Sequence, residues 1–258
     1  PFFLYLAYTI PHAEMVLPEK YLEPFLGRYP QGKPWPGGHY GAQEHPRAAL
    51  AAMISHLDSD VGRLMQLLKE LGIDENTLVV FTSDNGPHVE GGNDPDFFNS
   101  NGPFRGYKRD LYEGGIRVPF VAHWPEVIEG GRVSDHISAM WDMYPTFCDI
   151  AGIETEKETD GISMLPEFKG EIQPRHNHLY WEFALRGGRQ AVRMGKWKGV
   201  RYNLTEGNRE VELYNLETDP GETENIADEH PEITEKIRKL MKTSREPSPI
   251  FDFPLNGE

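Results

Sequence analysis

Apolar residues recur along the chain with two different periods, and the change from one to the other falls near residue 165. Between Pro46 and Leu71, the residues Leu50, Met53, Ile54, Leu57, Val61, Leu64, Leu68 and Leu71 are spaced for one face of a helix, and Gly72 follows as a stop. Two nearly continuous apolar runs, 1–8 and 77–82, read as strands buried on both faces, as in a parallel sheet. Strand, helix, strand in that order predicts an α/β fold on a mainly parallel sheet with flanking helices. A third strand is expected over 118–124, and a short helix from about 142 to 151, ended by Gly152. The Pro- and Gly-rich stretch 30–41 reads as loop.

Beyond residue 165 the apolar runs shorten and alternate, notably at 190–194 and 210–214, before a helix over 231–244. This pattern predicts a small antiparallel sheet with a covering helix. The chain then divides into a larger α/β part, 1–165, and a small α+β part, 166–258, whose tail from 245 is Pro-rich and expected to be irregular.

Charge narrows the partners. The 26 Lys and Arg face 41 Asp and Glu, a formal charge of −15 that repels nucleic-acid phosphates and anionic membrane surfaces, so neither is expected as a partner. An anionic substrate would need a local group of cations or a metal. No apolar stretch approaches the ~20 residues of a membrane span, and no leader pattern opens the chain. Cys148 is the single cysteine, which excludes an internal disulfide or a cysteine zinc site, and its apolar setting reads as a packed core thiol.

Two stretches supply candidate chemistry. Ser83-Asp84-Asn85-Gly86 follows the run 77–82, at the strand end where α/β sheets collect ligands. Carboxylate and amide oxygens there suit calcium or magnesium, although an Asp-Asn-Gly turn on its own is more often a plain turn. The loop 99–119 then gathers Arg105, Lys108 and Arg109 beside several glycines in an otherwise acidic chain.

Together with Tyr112-Glu113-Gly114-Gly115-Ile116-Arg117-Val118-Pro119 and the later Glu212-Leu213-Tyr214-Asn215-Leu216-Glu217-Thr218-Asp219-Pro220-Gly221-Glu222, these stretches resemble type I sulfatases over nearly the whole chain. The resemblance implies the alkaline-phosphatase-like fold and sulfate-ester hydrolysis assisted by calcium and a formylglycine nucleophile. It implies that Asp84 and Asn85 are the second pair of metal ligands and that Lys108 contacts the sulfate. Thr9-Ile10-Pro11-His12 resembles the motif whose histidine approaches the ester oxygen, which makes His12 a candidate general acid. His88 and Arg105 are candidate substrate contacts. A capping role for His88, and a pairing of Arg105 or Arg109 with Asp110 or Glu113, are the structural alternatives.

The family's Cys-x-Pro-Ser-Arg nucleophile motif and first Asp-Asp metal pair have no counterpart here, and Cys148 is followed by Asp149-Ile150-Ala151. The calcium site is therefore expected to be incomplete and the chain alone inactive. By the same resemblance the substrate would be a sulfated carbohydrate or aryl sulfate, with Trp35, Tyr40 and Trp181 as candidate sugar platforms or as packing residues, in a periplasmic, extracellular or lysosomal setting. Two other readings stay open. One is a phosphodiesterase or phosphonate hydrolase of the same superfamily, against which Asn85 argues because those relatives tend to carry His there. The other is a non-catalytic module that binds sulfated glycan.

Overall fold

The computed structural model describes residues 1–155, 158–248, 250 and 253. They form two units, one of residues 1–77 with 87–101, the other of 78–86 with 102–258.

The first unit is built on α2 (Pro46–Glu70), preceded by the single turn α1 (Glu19–Leu22). Pro46 stands where a helix needs no N–H, and Gly72 beyond the last turn takes a left-handed φ of 65°. Leu50, Met53 and Leu68 of the expected apolar face are buried, while Ile54 and Leu71 are exposed. Met15, Ala49, Leu50 and Met53 form the core, with Ile10, Leu17, Leu22 and Phe98 against it. Trp35 and Gln43 exchange backbone hydrogen bonds at 2.8 and 2.9 Å, closing the loop that the prolines and glycines announce.

Residues 1–8 correct an expectation: they form no strand, and Phe3 and Tyr5 are 71% and 81% exposed. A strand is held by a neighbouring ladder, and none of the described residues supplies one to this run.

The second unit begins with β1 (Val79–Thr82), followed by α3 (Glu113–Ile116), β2 (Phe120–His123), α4 (Met143–Ala151) and α5 (Leu165–Lys169). It continues through β3 (Leu179–Phe183), β4 (Arg189–Met194), β5 (Trp197–Tyr202), β6 (Glu212–Asn215) and α6 (Pro231–Thr243). The α/β class and the small C-terminal sheet with its helix are as expected. The ladders differ: β1 pairs antiparallel with β2, and all pairs among the described residues are antiparallel. Cys148 is half-buried on α4 rather than in the core. The buried Asp142 ties this region together, accepting from the N–H of Ala139 at 2.7 Å, from the N–H of Ile162 at 2.8 Å and from His176 Nε2 at 2.8 Å.

The sheet β3-β4-β5-β6 is a meander in chain order with two buried faces. Alternation along each strand sends Val192, Leu213 and Trp197 toward Ile237 and Met241 of α6. Gly199 lies on this face because a Cβ there would come within 2.4 Å of Ile237. The opposite face carries Ala191, Val200 and Tyr214, and on it pack Leu111, Tyr112 and Ile116. The loop expected to carry chemistry is thus bedded on the C-terminal sheet. The last expected irregular stretch, from 245, lies mostly outside the described residues.

Candidate active site

Asp84 and Asn85 follow β1, the former exposed and the latter half-buried. Asn85 Nδ2 donates to the Gly86 carbonyl at 2.9 Å, so its Oδ1 remains the metal-type atom. Gly86 N–H donates to the Gly115 carbonyl at 2.9 Å, and a Cβ on Gly86 would lie 1.8 Å from the Gly114 carbonyl oxygen. Gly114 and Gly115 are just as confined on their other side, by the carbonyls of Arg105, Gly106, Tyr107 and Asp110. Three backbone layers therefore meet with no room for a methyl group, which is why the sequence has glycine at 86, 114 and 115.

Lys108 occupies the first corner of a β-turn over residues 107–110. Asp110 N–H donates to the Tyr107 carbonyl at 2.8 Å, and the Asp110 carboxylate accepts the Tyr107 N–H at 3.0 Å. Arg109, at the second corner, has φ 79°. β4 and β5 anchor the turn: Arg189 donates to Asp110 Oδ1 at 2.7 Å and to the Arg109 carbonyl at 2.6 Å, and the Tyr202 hydroxyl accepts the Leu111 N–H at 2.8 Å. Arg105 is held by neither Asp110 nor Glu113. Its guanidinium lies 3.8 Å over the Tyr112 ring and donates to the Tyr214 hydroxyl at 3.1 Å.

Below this loop sits a buried charge cluster. Lys198 of β5, fully buried, is 2.8 Å from Glu113 Oε1 and 3.4 Å from Glu222 Oε1. Arg193 of β4 reaches Glu113 Oε2 at 2.9 Å. Burial alone would raise Glu113, but Lys198 and Arg193 outweigh it and hold its carboxyl below the usual range. For Glu222 burial wins and pushes the carboxyl up from 4.5 to about 7. A raised acid contributes stability that is whole below its unfolded value and is lost as pH rises through about 7. The depressed Glu113 contributes the reverse, losing its share as pH falls below its unfolded value of 4.5. We expect the urea midpoint to rise as pH is lowered from 8 to 5, and Glu222→Gln to flatten that rise; a midpoint that falls over this range, or an unchanged slope in the variant, would refute the assignment.

In the first unit, His12 and His88 stack with ring centroids 5.2 Å apart, and Tyr40 meets His12 edge-on at 5.9 Å. His12 Nδ1 donates to the Ala13 carbonyl. His88 is buried, and its Nε2 donates to the Pro11 carbonyl at 3.0 Å while Nδ1 accepts the Glu90 N–H at 3.1 Å. Those bonds make His88 a brace for the segment carrying His12. Asp84, Asn85, Arg105 and Lys108 thus belong to one unit, and His12 and His88 to the other.

The family model described as Sulfatase matches residues 1–153, and that described as N-sulphoglucosamine sulphohydrolase, C-terminal, matches 103–247. The chain belongs to the sulfatase family. It is 32% identical over 208 residues to the N-acetylgalactosamine-6-sulfatase of Mus musculus, a match covering 80% of this chain and 35% of that protein. The crystal structure of Ps i-CgsB in complex with k-i-k-neocarrahexaose matches 99% of the chain and 52% of its own, at 29% identity and a TM-score of 0.80. The phosphonate monoester hydrolase of Agrobacterium radiobacter shares the fold, at 23% identity and a TM-score of 0.58 over 76% of this chain and 42% of its own. The sulfatase chain therefore spans about a third of the first of these relatives and about half of the second.

The oxygens of Asp84 and Asn85 are of the kind that calcium takes. Among the described residues no group of three or more His, Cys, Asp or Glu is placed to hold a metal. The sequence reading missed Arg189, Lys198 and Glu222. No local pattern marks them, because each acts on a residue some eighty or more positions away in the chain.

Proposed function

We propose that this chain is part of a sulfuric ester hydrolase acting on sulfated carbohydrate, and that alone it is inactive. The observation that carries the reading is the glycine layer that ties the Asp84-Asn85-Gly86 turn to the Lys108 turn, because it joins the two stretches on which sulfate chemistry would depend. In this reading Lys108 places its ammonium on the sulfuryl oxygens and offsets charge that grows there during S–O cleavage. His12, with Nδ1 committed to Ala13, delivers a proton from Nε2 to the departing sugar oxygen. Asp84 and Asn85 would contribute two oxygen ligands to a calcium ion, which when bound neutralises sulfate charge. The nucleophile, a formylglycine hydrate, would come from protein outside these residues.

The sugar assignment draws on the galactosamine sulfatase relative and the oligosaccharide in the Ps i-CgsB structure. Among the three candidate aromatic platforms, Trp181 lies 5.7 Å from Trp141, and Trp35 pins its own loop through a 3.2 Å bond to the Tyr40 carbonyl. Tyr40 is the one beside His12. The phosphonate hydrolase reading is disfavoured by an amide at position 85, a poor ligand for the transition metals such enzymes prefer.

The test compares this chain with a version extended upstream through a nucleophile motif and matured to formylglycine, assayed with calcium on 4-nitrophenyl sulfate and on a sulfated neocarrahexaose. Turnover is expected only in the longer protein, with Lys108→Ala lowering kcat/KM by about 100-fold or more. Turnover by the short chain, or faster cleavage of a phosphonate than of either sulfate, would refute the proposal.

A further inference from the structure

We propose that Glu222 is a positioning residue for Lys108, holding both ends of the loop that carries it. The inference rests on the reading of Lys108 as the sulfate contact. The Glu222 carbonyl accepts a hydrogen bond from Arg105 Nη1 at 2.9 Å. Its carboxylate Oε2 accepts the backbone N–H of Glu113 at 2.6 Å. Arg105 and Glu113 bracket residues 106–112, and the β-turn with Lys108 at its corner lies between them. One residue, 109 positions away from Glu113 in the chain, thereby sets the span of the loop at both its entry and its exit.

Three further observations set Glu222 apart from ordinary packing. It is fully buried, yet it holds a left-handed φ of 52°, a conformation glycine adopts freely and a glutamate does not. The chain on both sides of it is preset by Asp219, whose carbonyl accepts the Glu222 N–H at 3.2 Å and whose carboxylate accepts the N–H of Thr223 at 2.8 Å and of Glu224 at 3.0 Å. Its second oxygen faces Lys198, and Lys198 also holds Glu113, so the ammonium fixes both partners of the bond. A buried acid kept in an unfavourable backbone conformation, with a lysine to hold it, points to a side chain required at that place. The C-terminal Asp-Pro-Gly-Glu stretch, 219–222, then acts on the sulfate-contacting turn through the loop, without touching substrate.

Hydrogen exchange of this chain, followed by mass spectrometry, tests the clamp without any activity. Glu222→Ala should speed exchange of amides 105–115 at least about tenfold while β3–β6 stay protected. Glu222→Gln should retain most of the protection, since its amide oxygen still accepts the Glu113 N–H. Glu222→Gly relieves the backbone and should still loosen the loop. Unchanged exchange over 105–115 in the Gly variant, or equal acceleration across β3–β6, would overturn the proposal. In the upstream-extended enzyme, Glu222→Ala should raise the inhibition constant of inorganic sulfate about tenfold, and should cost nothing further once Lys108→Ala is present. Additive losses would also overturn it. A Lys108→Ala enzyme with full activity would instead sink the functional reading and leave the exchange result standing.

Discussion

Lys198→Met is expected to destabilise the second unit by about 3 kcal/mol at pH 8, more than any surface substitution. The lysine is fully buried and serves Glu113 and Glu222 at once, at 2.8 and 3.4 Å. Methionine fills a similar volume, so the loss reports charge rather than a cavity. Glu113 keeps Arg193, but Glu222 keeps only a backbone N–H and must take up a proton in a dry site. The loss should therefore shrink as pH falls toward 5, where Glu222, already raised to about 7, is neutral in the parent as well. Urea unfolding at the two pH values decides it: a loss below about 1 kcal/mol at pH 8 would show that hydrophobic burial replaces the ion cluster without cost.

Gly115→Ala is expected to cost about 3 kcal/mol and to disturb the Lys108 turn directly. The new Cβ would stand 2.2 Å from the Asp110 carbonyl oxygen and 2.6 Å from that of Tyr107, both backbone atoms of the turn. No side chain can swing aside, so the turn itself must move. Gly115 lies outside the residues of positive φ, so the loss measures space and not backbone strain. Gly62→Ala on α2 is the control: nothing lies near its Cβ, and it should stabilise by about 0.5–1 kcal/mol. Equal thermal midpoints for Gly115→Ala and the parent would mean that the three glycine layers are looser than their spacing.

The helices were legible because their signals are local. The 3.6-residue spacing over 46–71 and the stops at Gly72 and Gly152 need no partner to be read, and both glycines take the left-handed φ of a helix end. Strands depend on a neighbour. The run 1–8 has strand composition and no ladder among the described residues, and β1 finds an antiparallel partner in β2, nearly forty residues later. The Asp84-Asn85-Gly86 turn and the Lys108 loop could be read as motifs, and the resemblance supplied their meaning. The support beneath them could not. Lys198 meets Glu113 across 85 positions, and in Trp197-Lys198-Gly199-Val200-Arg201-Tyr202 a period-2 pattern gives no reason to bury either cation. Arg201 is buried on the other face, its Nε 2.6 Å from Gln190 Oε1.

The two matched family regions overlap over residues 103–153, and the loop lying on the sheet falls within that overlap. The loop therefore belongs to the matched region of both family models, and it is bedded on the sheet β3–β6. A chimera that joins the front of one family member to the back of another at residue 165 would seat the donor's lysine turn on a foreign bed. Unless the counterparts of Arg189, Lys198, Tyr202 and Glu222 came with it, the hybrid would express both halves and align neither. The loop and its sheet are therefore expected to pass between relatives only as one piece.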